Sequence, residues 1–295
     1  MFELLGIPPQ ALFGQVFLGL INGSFYAMLS LGLAVIFGML NVINFAHGAL
    51  YMMGAFAAYF LLEYAGIGYW PALILAPLIV GAFGIVLEKT MLSRLYRLDH
   101  LYGLLLTFGL ALIIEGLFQR WYGVSGLPYT TPGSLMGGYN LGFMFLPAYR
   151  GWVVVASLVV CVATWFLIER TRLGAYLRAG TENPVLLRAF GINVPLMMTL
   201  TYGFCAALAA LPGVLAAPIY SVNPLMGSHL IIVVFAVVVI GGMGSILGAI
   251  VSGFGLGVIE GLTKVFDPEA SNIVIFVVMA IVLLLKPAGL FGREA

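Results

Sequence analysis

Three polar side chains interrupt the apolar stretch "GMLNVINFAHGALYMMGA" and are the first candidates for chemistry: Asn41, Asn44 and His47. Asn44 and His47 are three residues apart, so in a helix both would lie on one face. A zinc site would need three or four ligands, and no other His, Cys or carboxylate lies nearby in sequence. The pattern therefore favours side chains that bond the free backbone groups of a broken helix, or that line a polar path, over metal binding or acid–base catalysis.

A second candidate is a charge-rich stretch that could bind a partner. The chain has 12 basic and 11 acidic residues, and six of them lie within residues 169–194, "ERTRLGAYLRAGTENPVLLRAFGINV". On either side the sequence is nearly free of charge. We call residues 169–194 the polar segment, and its position between two apolar runs predicts that it lies in water.

The polar segment contains a short helix signal. Asn183 is a good N-cap residue and Pro184 suits the first helical position, while Gly191 would end the helix. The two turns in between are too short to be stable alone in water, so their apolar side chains must contact something else. A short amphipathic helix of this kind can insert into a groove of a partner protein or lie on a membrane surface, and the residues alone leave both possibilities open.

The composition shows what must hold these residues in place. The chain has 295 residues, of which 63% are hydrophobic and 8% are charged, with a mean hydropathy of +1.14. A soluble domain carries about 25% charged residues, so lipid must solvate this chain. Its apolar runs are continuous, unlike the alternating strands of a membrane barrel. We therefore predict an all-α fold, a polytopic transmembrane helical bundle, and the net charge of +1 without a basic tract gives no reason to expect nucleic acid.

Nine stretches are candidates for membrane segments, since a spanning helix needs about 20 apolar residues. They are roughly 12–38, 45–62, 71–92, 101–119, 151–168, 195–219, 229–243, 245–263 and 272–285. Glycines interrupt the second, seventh and eighth, which could be half-helices or re-entrant segments. We expect eight or nine membrane segments forming one transmembrane domain over residues 1–295.

The distribution of Lys and Arg predicts the orientation, because short cytoplasmic loops are enriched in both. If the polar segment is cytoplasmic, nine of the 12 basic residues lie inside and three lie outside. The carboxyl terminus is then cytoplasmic. The long loop at about 120–150 is extracytoplasmic, and its Gly, Pro and Tyr content favours turns and short strands over a helix.

A second glycine-rich break, "GGMGSILGA", lies in the other half of the chain. Paired glycine-interrupted segments often mark the binding or gating region of a transporter, although close helix packing explains glycines equally well. Polar residues inside membrane segments are also functional candidates. The candidates for a translocation path are Asn22, Ser24, Asn44, His47, Gly242 and Gly244.

Other reactive side chains fit structural roles. Glu88, Glu115 and Glu260 lie near the predicted ends of membrane segments, where carboxylates are expected to be solvated or interfacial. Cys161 and Cys205 lie within apolar runs, and two cysteines do not form a disulfide framework. We expect both thiols to be small buried hydrophobic groups.

Several motifs resemble one family. "TRLGAYLRAGTENPVLLRAFGIN" resembles the ATPase-contacting loop of ATP-binding-cassette importer permeases, and matches best the permeases of branched-chain amino-acid uptake systems. "GLINGSFYAMLSLGLAVIFGMLNVINFAHGALYMMGAF" is similar to the amino-terminal signature of that family. "VNPLMG", "IGGMGSILGAIVSGFGLGVIEGL" and "LLKPAGLFGRE" are similar to its carboxy-terminal ones, so the resemblance covers nearly the whole chain.

The resemblance implies a permease subunit in a bacterial or archaeal cytoplasmic membrane, surrounded by lipid, with no cofactor, no metal and no catalytic residue of its own. The implied partners are two cytoplasmic ATPase subunits, a second homologous permease or a second copy of this chain, and an extracytoplasmic substrate-binding protein. Consistent with ATPases on separate subunits, no G-x-x-x-x-G-K-[ST] phosphate-binding motif occurs in the chain. The residues at matching positions of the coupling loop are Arg172, Gly174, Arg178, Ala179, Glu182 and Gly191.

The implied substrates are leucine, isoleucine and valine. Related permeases move urea and short-chain amides, and the sequence does not separate these substrates. It departs from the family after the "NP" of one outer loop, where a basic residue is common and "MGSHLIIVVFAVVV" offers only His229. A stand-alone secondary transporter or channel would need charged residues at the bilayer midplane, and no convincing set is found.

Overall fold

A computed structural model of the protein describes residues 8–40, 44–96, 98–142 and 144–292. Asn41, Arg97 and Arg293, which entered the arguments on the polar cluster and on orientation, lie outside the described residues. The side chain of Glu182 lies outside them as well.

All nine predicted membrane segments correspond to α-helices, and two further helices occupy the polar segment. The helices are α1 (Pro9–Leu40), α2 (Ala46–Glu63), α3 (Tyr69–Thr90), α4 (His100–Tyr122), α5 (Ala148–Arg170), α6 (Arg172–Glu182), α7 (Pro184–Ala189), α8 (Val194–Tyr220), α9 (Met226–Gly241), α10 (Ile246–Phe266) and α11 (Ser271–Leu285). The prediction of an all-α helical bundle is confirmed.

Six of these helices are long and apolar enough to cross a membrane: α1, α3, α4, α5, α8 and α10. The second and seventh segments were doubted as full membrane spans, and their helices are indeed short: α2 has 18 residues and α9 has 16. The same doubt about the eighth segment was wrong, because α10 runs unbroken for 21 residues from a cap at Ser245. The glycines that suggested a break in α10 instead permit close packing.

Helix α1 lies at the centre of the bundle and crosses α10 in antiparallel fashion through a row of glycines. A Cβ added at Gly23 would lie 3.0 Å from the Cα of Phe254, and one added at Gly253 would lie 2.6 Å from the Cα of Ala27. Gly19 and Gly257 also face each other across this contact. In lipid, where apolar surface gains nothing from leaving the solvent, such small residues let backbones approach closely enough for dispersion contacts.

Helix α8 packs against α2 and α3 in the same manner and completes the core. The Cβ of an alanine at Gly54 would lie 2.5 Å from the Cα of Ala210, and one at Gly81 would lie 3.0 Å from the carbonyl oxygen of Gly203. Helix α4 is peripheral: 17% of its apolar 18-residue stretch is buried within the protein, compared with 83% for α1. We infer that α4 faces lipid and that α1, α2 and α8 form the interior.

The long loop contains a small β-hairpin, as its composition predicted. Strand β1 (Gly138–Asn140) pairs antiparallel with β2 (Phe145–Pro147), and Leu127 forms a bridge with Val222 in the α8–α9 connection. We call this end of the bundle the hairpin end. Because α5 runs from β2 to the polar segment, the polar segment lies at the opposite end.

Candidate functional site

Helix α2 begins inside the bundle, and side chains from two other helices, α4 and α8, form hydrogen bonds with the two residues that precede it. The Nδ2 of Asn44 donates to the hydroxyl of Tyr202 at 3.0 Å, and the backbone N–H of Phe45 donates to the Oγ1 of Thr107 at 3.2 Å. Backbone groups away from water must be satisfied within the protein. No side chain caps the start of α2, so the suggestion that Asn44 and His47 bond the free backbone groups of a broken helix remains a prediction.

His47 is fully buried and holds α2 against α1. Its Nε2 lies 3.0 Å from the carbonyl oxygen of Leu29, and since a carbonyl only accepts, Nε2 carries the proton. Gly32 makes room for the imidazole, because a Cβ there would lie 2.7 Å from the Cε1 of His47. The geometry shows His47 as a clamp between two helices.

Two buried polar atoms beside this clamp have no hydrogen-bond partner among the described residues. They are the Oδ1 of Asn44 and the Nδ1 of His47. The described residues also contain no group of three His, Cys, Asp or Glu side chains that could hold a metal ion. Asn44 borders a cavity of about 110 Å³ together with Tyr202 and Thr107, and a cavity of this size can hold water.

Helices α2 and α9 meet near their amino-terminal ends. A Cβ at Gly48 would lie 2.7 Å from the carbonyl oxygen of Gly227 and 3.1 Å from the Cβ of Ile231. Both helices are shorter than a full span, and discontinuous helices that meet within the membrane are typical of transporter binding regions. This meeting point was not predicted, because Gly48 and Gly227 are far apart in sequence.

The remaining path candidates lie in three different places. Asn22 accepts a hydrogen bond from the hydroxyl of Tyr220 at 3.0 Å, whereas Ser24 donates within its own helix to the carbonyl of Leu20. Gly242 and Gly244 form the α9–α10 turn, with φ of 100° and 85° that favour glycine. Of the four, Asn22 alone lines a large cavity, and a role in translocation remains a prediction for all of them.

Two carboxylates expected at solvated span ends are buried instead. Glu88 is 1% exposed, and it accepts hydrogen bonds from the Oγ1 of Thr199 at 2.6 Å and from the hydroxyl of Tyr96 at 2.9 Å. Burial and the nearby Glu88 carboxylate raise the pKa of Tyr96. Glu260 is 6% exposed, accepts from Tyr26 at 2.7 Å and pairs with Lys264. Thr199 and Tyr26 are distant in sequence from the carboxylates that they contact, which explains why sequence spacing did not reveal the burial.

The polar segment forms two helices where one was predicted. Helix α7 begins at Pro184 with the Oδ1 of Asn183 accepting from the backbone N–H of Leu186 at 2.9 Å, and it is followed by Gly191 at φ 82°. The predicted caps are therefore confirmed. Helix α6 precedes it and was not predicted.

Gly174 and Arg178 both contact the end of α5. A Cβ at Gly174 would overlap the carbonyl oxygen of Ile168 and lie 2.5 Å from its carbonyl carbon, so no larger residue fits. One turn later, the Nη1 of Arg178 donates to the same carbonyl oxygen at 3.2 Å and lies 3.5 Å from Glu169. These two motif residues attach α6 to a membrane helix and bond a carbonyl that the end of α5 leaves free.

Other residues of the segment are exposed at the end of the bundle. Among the coupling candidates, Arg172, Ala179 and Gly191 are exposed, and the backbone of Glu182 ends α6. Val185 and Phe190 are each 75% exposed and Leu186 is 54% exposed, whereas Leu187 is buried. An apolar surface beside arginines, on helices anchored to the bundle, is suited to bind another protein.

Comparisons with known proteins find one family of transport proteins over almost the full length of this chain. Residues 15–283 match the family described as branched-chain amino acid transport system / permease component. The chain is 31% identical to the high-affinity branched-chain amino acid transport system permease protein BraD of Pseudomonas aeruginosa, with 95% of each covered. It is 29% identical to the permease protein LivH of Escherichia coli K12, with 95% of each covered. It is 28% identical to the permease protein LivM of that strain, over 90% of this chain and 67% of LivM.

Proposed function

Because the chain belongs to the family of branched-chain amino acid transport permeases, and is a multi-pass membrane protein, we propose that it is the membrane-spanning subunit of an ATP-driven importer for leucine, isoleucine and valine. An extracytoplasmic binding protein delivers the substrate, and two cytoplasmic ATPase subunits supply the energy. A second permease subunit, homologous or identical, completes the pathway through the membrane of a bacterium or archaeon.

The observation that carries this proposal is the anchored, exposed polar segment. Gly174 and Arg178 fix α6 to the last turn of α5, and α7 leads directly into α8. A push on α6 and α7 therefore reaches two membrane helices. Val185, Leu186 and Phe190 supply the apolar contact area on α7, and Arg172 and Arg188 set partner choice and register through charge.

The proposed orientation puts the polar segment and the carboxyl terminus in the cytoplasm. It follows from the excess of Lys and Arg on that side. A single cysteine at exposed Asn183 should be protected from a membrane-impermeant thiol reagent in intact cells and labelled in inverted vesicles, since the two native cysteines are buried. Labelling in intact cells would reverse the orientation and remove the basis of ATPase coupling.

The decisive experiment is co-purification with the ATPase subunits. Phe190→Asp puts a charge into the proposed contact and should weaken ATPase retention by about tenfold or more, as expected for a central apolar anchor. Phe145→Asp is the matched control, because Phe145 is 65% exposed at the hairpin end, compared with 75% for Phe190. Equal retention of the ATPases by both variants and by the unmodified protein would refute docking through α7.

A further inference from the structure

Two neighbouring cavities run from the hairpin end towards the middle of the bundle. The arginine cavity has a volume of about 330 Å³ and is bordered by Gln15, Arg150 and Lys264. The tyrosine cavity has a volume of about 400 Å³, and both volumes lie within the range of about 300–1,000 Å³ that is typical of small-molecule sites. Asn22 and Tyr220 border both cavities, so a single hydrogen-bonded pair stands between them.

The cavities are deep enough to be part of a path. Gln15 borders the arginine cavity and Tyr26 borders the tyrosine cavity, and both lie on α1. At 1.5 Å per residue, the 11 positions between them correspond to about 16 Å along the helix. This is about half of the 30 Å hydrocarbon thickness of a bilayer. The inner end of this space lies close to the meeting point of α2 and α9, because Tyr51 and Met226 also border the tyrosine cavity.

The charges around the arginine cavity leave one cation without an anion. Lys264 pairs with Glu260. Arg150 forms no ion pair with any described residue, and it borders the arginine cavity together with Tyr220. Arg150 is half-buried in the first turn of α5, and a guanidinium is the side chain best matched to a carboxylate.

The tyrosine cavity offers the complementary apolar surface. Phe25, Met226 and Leu230 border it, beside the side chains of Tyr26 and Asn223. A ligand with a carboxylate at one end and an aliphatic chain at the other would match the two cavities in order. Urea and short amides carry no charge and need no arginine.

We propose that the two cavities form a receiving site for an α-amino acid, in which Arg150 binds the carboxylate and the apolar wall of the tyrosine cavity takes the aliphatic side chain. This site rests on the proposed function and specifies its substrate class. The oxygens of Asn22 and Tyr220, between the two cavities, are available to the ammonium group. The site therefore distinguishes an amino acid from the neutral cargoes of related permeases.

The test uses the complete transporter in proteoliposomes, with L-leucine-loaded binding protein at saturation. Arg150→Gln should reduce the maximal rate of leucine uptake by about tenfold or more, because a charge-assisted hydrogen bond is lost. Arg120→Gln is the control, since Arg120 is exposed near the same end of the bundle and lies outside both cavities. That control should transport at the normal rate.

A second variant tests the apolar part of the site. Met226→Trp should fill much of the tyrosine cavity and reduce leucine uptake, with leucine affected more than the smaller valine. Met136→Trp is the control, because Met136 is 66% exposed in the loop at the hairpin end. ATP hydrolysis stimulated by the binding protein is measured in parallel and should persist in all four variants.

The outcomes separate the site from the function. Normal leucine uptake by both Arg150→Gln and Met226→Trp would overturn the receiving site and leave the importer assignment intact. Loss of binding-protein association in Arg150→Gln, matching its loss of uptake, would overturn the site as well, because Arg150 would then bind a protein. Transport of radiolabelled urea but not of leucine by the unmodified complex would overturn the proposed substrate itself.

Discussion

Replacing Gly174 by alanine should loosen the attachment of α6 to α5. The new Cβ would lie 2.5 Å from the carbonyl carbon of Ile168 and 3.0 Å from its Cα. Carbon atoms in contact are normally about 3.5–4.0 Å apart, so the two helix ends must separate by about 1 Å. The same movement would stretch the 3.2 Å hydrogen bond from Arg178 to Ile168.

The expected cost is moderate. Overpacking against a rigid backbone costs about 1–3 kcal/mol, and overlap with a backbone carbonyl oxygen puts this substitution at about 2–3 kcal/mol. Alanine returns about 1 kcal/mol through its better helix propensity. The net loss of about 1–2 kcal/mol corresponds to a roughly 5–30-fold change in an equilibrium. Amide hydrogens of α6 should therefore exchange about 5–30 times faster in Gly174→Ala, and leucine uptake should fall because motion of α6 reaches α5 less directly.

Gly180→Ala provides the control within the same helix. A Cβ at Gly180 would meet the Cε of Met197 at 2.8 Å, but this is the end of a flexible side chain that can move away. The gain in helix propensity should then leave exchange in α6 unchanged or slower. Faster exchange in both variants, or in neither, would show that the backbone contact at Ile168 does not hold the segment.

Two further predictions concern the interior of the bundle. Gly257→Val should sharply reduce the yield of monodisperse protein in size-exclusion chromatography, because the new side chain would separate α1 from α10. Gly255→Val is the control and should not reduce the yield, because nothing lies within 4 Å of a Cβ at that position. Similar yields of the two variants would contradict the proposed role of the helix crossing. Glu88→Leu strands the hydroxyl of Tyr96 at a cost of about 1–3 kcal/mol, while the hydroxyl of Thr199 can still donate to the carbonyl oxygen of Pro195. Glu88→Leu should therefore lower the melting temperature more than Glu88→Gln, which keeps an acceptor for Tyr96. Equal melting of the two variants would contradict this account.

The elements that depend on local signals could be predicted from the sequence. Continuous apolar runs predicted the nine apolar helices, six of which are long enough to span a membrane, and Asn183, Pro184 and Gly191 predicted both ends of α7. The turns and strands of the long loop followed from its Gly, Pro and Tyr content. These features are fixed by residues within a few positions of one another, which is the range that sequence patterns report.

Features that depend on distant contacts could not be predicted. The position of helix α6 depends on the contact between Gly174 and the end of α5, which sequence spacing does not show. Glu260 is buried because Tyr26, 234 positions away, donates to it. The sequence places Arg150 at the end of the long loop and gives no sign that it borders a cavity with Asn22 and Tyr220.

The glycines between α1 and α10 hold the helices together, whereas different residues border the cavity in which the substrate is proposed to bind. At Gly23, Gly253 and their neighbours even one methyl group would contact the backbone of the facing helix. Close helix packing therefore determines which residues fit at these positions. Phe25 and Met226 border the tyrosine cavity instead, so their side chains have adjacent space into which they can change. A designer who wishes to redirect this scaffold to a bulkier or more polar nutrient should rewrite the cavity wall and leave the bare helix faces untouched.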